Sequence, residues 1–224
     1  MKMFKAPYHR IAFVSLLLLG SLAEAKKPPL PQPNPLRGTI GVTIRAIPPA
    51  KIGKMTAVQI HFVRQAEGED ILDSDYVISS NYSNKKQVYF LNAKPGRYVA
   101  VAARFAAAGN GFKYEGFFSK DMLSETEVTV IPGEMTFMGD FLLNTSTKMG
   151  EADPVQSHFY RLISPEAARK GFFGRALAGN APYTATLKTV DKTTAREEEF
   201  WSLAQRKVFK KEPAWQAFVQ RLSE

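Results

Sequence analysis

Residues 87–101 read QVYFLNAKPGRYVAV, two short apolar runs joined by Lys94-Pro95-Gly96-Arg97. Proline fixes φ at the first central position of a turn, and glycine accepts a positive φ at the second, which is what a type II turn requires. Ile131-Pro132-Gly133-Glu134 repeats this chemistry further along the chain. Both stretches therefore predict type II turns that separate successive short strands.

Apolar residues alternate with polar or small ones through the segment that surrounds these turns. In 39–46, Ile40, Val42 and Ile44 alternate with Gly41, Thr43 and Arg45, the period of a strand with one buried face. The same test marks further strands near Ala57–Arg64, Tyr76–Ser79, Gln87–Leu91, Arg97–Phe105, Lys113–Ser119, Glu127–Ile131 and Met135–Leu142. With no helical pattern between them, they predict a mainly β fold: a seven- to eight-stranded antiparallel β-sandwich over residues 38–144.

The pattern changes in residues 145–224, which predict a polar linker followed by a C-terminal appendage of two to three helices. Ser164-Pro165-Glu166 has the chemistry of a helix start, and this helix would run to about Leu177. Thr194 and Glu197 have capping-box spacing and predict a helix that ends near Lys210 and Lys211. Pro213 would begin a last helix with Trp215 on its apolar face.

The N-terminus has the order of a secretory signal peptide over residues 1–25. Lys2, Lys5 and Arg10 precede an apolar run from 11 to 22, and Ala23-Glu24-Ala25 follows as a cleavage site. A run of 12 residues is shorter than the roughly 20 that span a bilayer, so cleavage after Ala25 is favoured over a membrane anchor or a buried helix. We therefore expect an exported protein that is periplasmic, envelope-associated or secreted.

Residues 26–37 form a proline-rich linker, KKPPLPQPNPLR, with five prolines. Proline favours extended polyproline II structure, so this segment is predicted to be a semi-rigid spacer. The alternative is a docking site for a proline-binding partner.

Catalytic groups are scarce in this chain. It has no cysteine, which excludes a thiol nucleophile, a disulfide and a lipidated cysteine, and it has three histidines. The sequence contains neither a G-x-S-x-G elbow nor an H-E-x-x-H zinc motif. We expect no enzyme and no cofactor; the alternatives are a hydrolase that uses His61 or His158, or one that uses a pair of carboxylates.

The net charge of +9 is unevenly distributed. The segment 38–145 has 11 basic and 11 acidic residues, whereas 169–224 has 11 basic and 6 acidic ones. A neutral sandwich argues against nucleic acid as a partner. The excess lies on the predicted helices, where Arg206, Lys207, Lys210 and Lys211 cluster. These helices either pack on the sandwich or make peripheral contact with an anionic membrane or polymer.

Two clusters are candidate ligand sites. Phe112, Tyr114, Phe117 and Phe118 follow a small-residue loop at 106–111, and their rings would either stack on a ligand or belong to the core. Asp70, Asp73 and Asp75 belong to an acidic stretch that supplies weak calcium candidates. A solvated hairpin loop is the alternative for these acids.

Four segments, VYFL (88–91), KPGRYVAV (94–101), VTVIPG (128–133) and FMGDF (137–141), resemble strand motifs of the transthyretin-like, carboxypeptidase-regulatory-like superfamily. The Trp-containing tail from 211 to 222 also resembles helical tails of some of its members. The resemblance implies a prealbumin-type sandwich that acts in bacterial envelope proteins in folding support, adhesion or ligand binding, with no catalytic residue pattern.

These observations predict a non-enzymatic exported β-sandwich protein that acts as a binding or structural module in the bacterial cell envelope. Its partner would be an envelope protein or a polysaccharide. The alternatives are a carbohydrate- or peptide-binding protein that uses the aromatic residues of 112–118, and a carboxylate-based hydrolase.

Overall fold

A computed structural model describes residues 29–48, 54–84, 86–106, 113–146, 153–169 and 182–221. The predicted signal peptide therefore lies outside the described residues, as does Phe112. The strands are β1 (Gly38–Ile47), β2 (Met55–Gln65), β3 (Ile78–Ser79), β4 (Tyr82–Asn84), β5 (Gln87–Ala93), β6 (Gly96–Ala106), β7 (Lys113–Phe118), β8 (Glu127–Val130), β9 (Met135–Ser146) and β10 (Tyr183–Asp191). The helices are α1 (Lys120–Leu123), α2 (Pro154–Ile163), α3 (Pro165–Ala168), α4 (Thr194–Lys207) and α5 (Pro213–Arg221). Short 3₁₀ turns lie at Ile71–Asp73, Ser124–Thr126 and Phe209–Lys211.

The mainly β character is confirmed, but the two-layer sandwich is replaced by a closed six-stranded barrel with extra strands. The ring runs β2, β6, β7, β10, β9, β1 and closes where β1 meets β2, through the pairs Arg45–Thr56 and Ala46–Met55. Two of its pairs, β1 with β9 and β7 with β10, are parallel rather than antiparallel. Outside the ring, β3 pairs with β2, β8 pairs with β6, and β5 and β4 extend the sheet from β1.

Strand β10 is the element that changes the architecture. It lies between β7 and β9, so the segment 145–224 contributes a wall of the barrel and is not a separate helical appendage. The predicted domain boundary at residue 144 falls inside β9. Ala185 is the only fully buried side chain of β10. Tyr183, Ala185 and Leu187 alternate with Thr184, Thr186 and Lys188, but the sequence analysis did not identify this short pattern as a strand.

The chain after β9 confirms some predicted helices and adds another. Helix α4 starts one residue before the predicted position, with Thr193 as N-cap: its Oγ1 accepts a hydrogen bond from the Arg196 backbone N–H at 3.4 Å. Helix α2, which the sequence did not predict, is capped by Asp153 through the Val155 N–H at 2.8 Å. Helix α3 begins at the predicted Pro165, and the predicted extension toward Leu177 lies largely outside the described residues.

The molecule has two hydrophobic clusters. The first fills the barrel and the space under α2, with large buried side chains that include Phe62, Phe105 and Phe141. The second lies between the outer face of β1, β5 and β9 and the C-terminal helices, and it contains Leu30, Tyr89, Leu91, Phe200, Ala204, Val208, Phe209, Trp215, Phe218 and Val219. The apolar stripe predicted for α4 thus packs on the sheet. It docks the helix on the barrel rather than contacting a membrane.

Helix α4 can approach the sheet closely because β1 carries a glycine beneath it. A Cβ at Gly41 would clash with the rings of Phe200 and Trp201, so the rings rest directly on the strand backbone. Gln87 adds a hydrogen bond between β5 and α4, since its Nε2 donates to the Phe200 carbonyl at 3.1 Å.

The described part of the proline-rich segment, residues 29–37, is packed against the protein rather than standing free as a spacer. Leu30 belongs to the second cluster, and the Pro31 carbonyl accepts a 2.7 Å hydrogen bond from Nε1 of Trp215. Asn92, in the left-handed region at φ 57°, accepts from the Asn34 N–H at 2.9 Å and donates to the Gln32 carbonyl at 2.7 Å. Asparagine tolerates this backbone conformation better than most residues do.

Candidate functional site

A cavity of about 520 Å³ lies between the docked proline-rich segment and the connection from β5 to β6, two strands that do not pair with each other. Its volume falls within the range of small-molecule sites. We call it the cationic cleft, because Arg37, Arg64 and Lys94 line it and none of the described residues that line it is acidic. Aromatic rings from Tyr76, Phe90 and Tyr98 supply most of its apolar wall.

Backbone carbonyls position two of the three cations. Nη2 of Arg64 donates to the Pro95 carbonyl at 2.6 Å, and Nη1 of Arg37 donates to the Asn92 carbonyl at 3.3 Å. Lys94 lies in the connection from β5 to β6, where Gly96 has a positive φ of 137°. Carbonyls orient these side chains without neutralising them, so the cleft keeps an excess of positive charge.

Tyr98 forms the floor of the cationic cleft. Its ring is buried and meets Phe62 and Phe90 edge-on, at centroid distances of 6.3 and 5.8 Å. Burial raises the pKa of Tyr98 despite the opposing influence of Arg64 and Arg37, so the hydroxyl stays protonated. The Tyr98 hydroxyl donates a hydrogen bond to the Lys94 carbonyl at 2.9 Å, which links the connection from β5 to β6 to the floor of the cleft. In contrast, Tyr76 at the rim is 52% exposed and offers its face to a ligand.

A second cavity, of about 360 Å³, is lined by residues 80–83. Arg104 and Lys113 line it together with Gln59 and Ser80, and again none of the described lining residues is acidic. Asn81 lines both this cavity and the cationic cleft.

The predicted aromatic site is placed mostly in the core. Tyr114, Phe117 and Phe118 are 4%, 0% and 0% exposed. Tyr114 stacks on Phe105 at 5.2 Å and packs against Tyr183 of β10 at 4.4 Å. A ligand would have to displace these rings from the barrel, so we do not assign them the ligand contact.

The acidic stretch does not assemble into a metal site. Within the described residues, no three Asp, Glu, His or Cys side chains converge on a cation position. Asp70 instead caps the 3₁₀ turn at 71–73 through the Leu72 N–H at 2.9 Å. Asp73 and Asp75 line a separate cavity that meets the cationic cleft at Arg64 and Tyr76. The loop alternative therefore describes these acids better than calcium binding does.

His61 lies in a buried polar cluster on the outer face of β2. Its Nδ1 is 3.0 Å from Oγ of Ser79, and its Nε2 is 3.4 Å from Oε2 of Glu115. Glu115 also accepts a 2.6 Å hydrogen bond from Nε of Arg104. The types match a Ser-His-acid relay, but here Nδ1 rather than Nε2 faces the serine, the reverse of the serine-protease arrangement. We interpret the cluster as a structural contact that links β2, β3, β6 and β7.

His158 has a separate structural role. Its Nε2 donates to the Ser74 carbonyl at 2.8 Å, and its ring packs edge-on against Phe159 at 4.8 Å. This bond links α2 to the loop before β3, and neither feature indicates catalysis.

Glu115 gives the fold a dependence on pH. Burial alone raises its pKa, but the close approach of His61 and the hydrogen-bonded, charged Arg104 lower it overall. A carboxylate whose folded-state pKa is depressed adds stability above its unfolded pKa of about 4.3, and this stability is lost as the pH falls through the folded pKa.

We expect Glu115→Gln to lower the free energy of unfolding by about 1–2 kcal/mol at pH 7, the typical value of a hydrogen bond to a charged group. The difference from wild type should shrink at acidic pH, since the wild-type carboxylate is then protonated. Urea unfolding between pH 7 and pH 3 measures this. Glu127→Gln is the matched control, because Glu127 is 41% exposed and pairs with Arg97 at 3.5 Å. If the difference in unfolding free energy between wild type and Glu115→Gln stayed constant down to pH 3, this would contradict a lowered pKa for Glu115.

Comparison with known proteins finds no relative of this chain. Among the described residues, no helix has the length and apolar character needed to cross a membrane. The transthyretin-like resemblance stays a prediction, since the chain matches no family model, no curated protein and no solved structure.

Proposed function

We propose that this chain is an exported, non-enzymatic binding module of the bacterial cell envelope, and that its cationic cleft holds an anionic glycan. The observation that carries the proposal is the convergence of Arg37, Arg64 and Lys94 on one aromatic-walled cavity whose described lining contains no acid. The predicted signal sequence supports the location. Cleavage after Ala25 would leave intact the residues 31–37 that form one wall.

The chemistry of the cleft fits a sugar that bears a carboxylate or a phosphate. Arginine and lysine donate charge-assisted hydrogen bonds to such oxyanions. The exposed ring of Tyr76 offers a flat apolar face with a polar tip, which suits the face of a pyranose ring. Acidic residues beyond Arg64 repel the anion from that side and direct it toward Lys94.

The test is binding of a short oligogalacturonate, with an uncharged oligosaccharide of the same length as the comparison. We expect binding of the acidic sugar only, and about tenfold weaker affinity for Lys94→Ala, which corresponds to the loss of one charge-assisted contact. Arg64→Ala should act in the same direction. Lys207→Ala is the matched control, since this exposed lysine of α4 is absent from the lining of the cleft.

Two outcomes would contradict the proposal. One is equal affinity for the neutral and the acidic sugar, and the other is an acidic sugar that binds equally well to wild type, Lys94→Ala and Arg64→Ala. A sugar phosphate in a parallel titration identifies which oxyanion is preferred. Tighter binding of an acidic peptide than of either sugar would replace the glycan with a protein partner.

A further inference from the structure

Residues 80–83, which we call the ridge, line the second cavity and border the cationic cleft through Asn81. Arg104 and Lys113 also line the second cavity. A ligand that leaves the cleft over this ridge therefore enters a second cavity that is again lined by cations.

The ridge is fastened to strands on both of its sides. Asn81 donates from Nδ2 to the Leu91 carbonyl at 2.9 Å and accepts from the Leu91 N–H at 2.8 Å. Oγ of Ser80 accepts from the Ile60 N–H at 2.9 Å, and the Ser80 N–H donates to the Ile60 carbonyl at 2.8 Å. These bonds hold β5 and β2 at a fixed spacing, so the two cavities have a fixed separation.

The two cavities together hold more positive charges than one anionic group can pair with. Arg37, Arg64, Lys94 and Lys113 form no ion pair with any residue that the structure describes. Arg104 pairs through Nε with Glu115, which positions its guanidinium beside the second cavity. Like charges placed close together repel each other, and a ligand with a negative charge at each of several positions relieves this in both cavities.

We propose that the ligand is an extended polyanionic glycan that crosses the ridge and occupies both cavities, with one anionic group in each. This inference rests on the proposed function of the cationic cleft and adds a second subsite built on Lys113 and Arg104. Joining two subsites by one chain raises affinity through effective concentration, so the longer ligand gains more than the sum of independent contacts suggests.

The experiment compares di- and hexagalacturonate binding to the full mature chain, measured for wild type, Lys113→Ala, Lys94→Ala and the control Lys207→Ala. We expect hexamer affinity to exceed dimer affinity by more than tenfold in wild type. Lys113→Ala should reduce this gain by about tenfold and leave dimer affinity unchanged. Lys94→Ala should weaken both ligands. Thermal unfolding of each variant separates lost binding from lost folding, and Lys113→Gln is a second substitution at the same exposed position.

The outcomes distinguish the two proposals. Dimer binding that depends on Lys94, combined with a hexamer gain that survives both Lys113 variants, overturns the second subsite alone. Failure of both ligands to bind overturns the proposed function as well. A single-stranded oligonucleotide of equal charge is the competing probe. If it bound as tightly as the hexamer with the same dependence on Lys113, charge alone would govern binding and the assignment to a glycan would fall.

Discussion

Trp215→Ala is expected to lower the free energy of unfolding by about 3–5 kcal/mol, the usual cost of truncating a large buried aromatic side chain. The indole is 1% exposed and fills the centre of the second hydrophobic cluster. It stacks on Phe209 at a centroid distance of 5.1 Å and meets Phe218 edge-on at 5.5 Å. Its N–H is also the donor that holds the Pro31 carbonyl.

This substitution should therefore do more than open a cavity. Because the Pro31 bond ties the proline-rich segment to the C-terminal helices, the segment should become accessible to limited proteolysis in Trp215→Ala. Trp215→Phe keeps most of the apolar area but removes the donor, and we expect a loss of about 1–2 kcal/mol for the unpaired carbonyl.

Denaturant unfolding with tryptophan fluorescence and far-ultraviolet circular dichroism measures both variants. Leu36→Ala is the control within the same segment, since Leu36 is 75% exposed and should change stability by less than about 0.5 kcal/mol. A loss below about 1 kcal/mol for Trp215→Ala would show that the helices contribute little to the stability of the barrel.

Asp140→Ala should have the second largest effect, a loss of about 2–4 kcal/mol. This carboxylate of β9 is 5% exposed and accepts hydrogen bonds from Nη2 of Arg45 on β1, at 2.8 Å, and from Nε of Arg196 on α4, at 2.8 Å. Removing it leaves the guanidinium of Arg45 without its anion and that of Arg196 with only the exposed Glu199. The partial exposure of the arginines, 34% and 29%, places the expected loss below the upper limit for a fully buried pair.

Two further variants identify the cause of that loss. Glu199→Ala removes the other acid that Arg196 binds, but Glu199 is 64% exposed, so the change should stay below about 1 kcal/mol. The triple variant Arg45→Met, Asp140→Leu, Arg196→Met should recover most of the stability, since apolar groups of similar volume often replace a buried ionic cluster at little cost. If the triple variant were less stable than Asp140→Ala, the uncompensated charges would not explain the loss.

The sequence predicts best those elements that local chemistry specifies. The Pro-Gly turn at 131–134 is an example: Gly133 has a φ of 77°, and the Glu134 N–H donates to the Ile131 carbonyl at 3.2 Å. At 94–97, by contrast, Gly96 has a φ of 137°, which differs from the value of about 80° that the predicted type II turn requires. Helix α4 is a second example, because its apolar stripe and acidic first turn are both local patterns. Barrel closure is not local. It depends on parallel pairing between segments far apart in the chain. The short alternation of Tyr183, Ala185 and Leu187 in β10 does not indicate with which strands it pairs.

The sequence did not predict the cationic cleft, for a similar reason. Arg37, Arg64 and Lys94 come from a linker, a strand end and a turn, and each is an ordinary surface cation in its own stretch of sequence. Summing charge over residues 38–145 gives a balance of 11 basic and 11 acidic residues, which conceals that Arg64 and Lys94 form no ion pair with any described residue. The aromatic residues of 112–118 were predicted as a ligand site from composition, whereas the three that the structure describes, Tyr114, Phe117 and Phe118, belong to the core.

The position of β10 also constrains the order in which the molecule can be completed. Until residues 183–191 are available, β7 and β9 each present an unpaired edge, and such edges are templates for pairing with other chains. The barrel therefore closes last at its C-terminal strand, after most of the chain has been made. For a protein delivered across a membrane from its N-terminus, as proposed here, this arrangement keeps the chain open during passage and allows closure only on the far side.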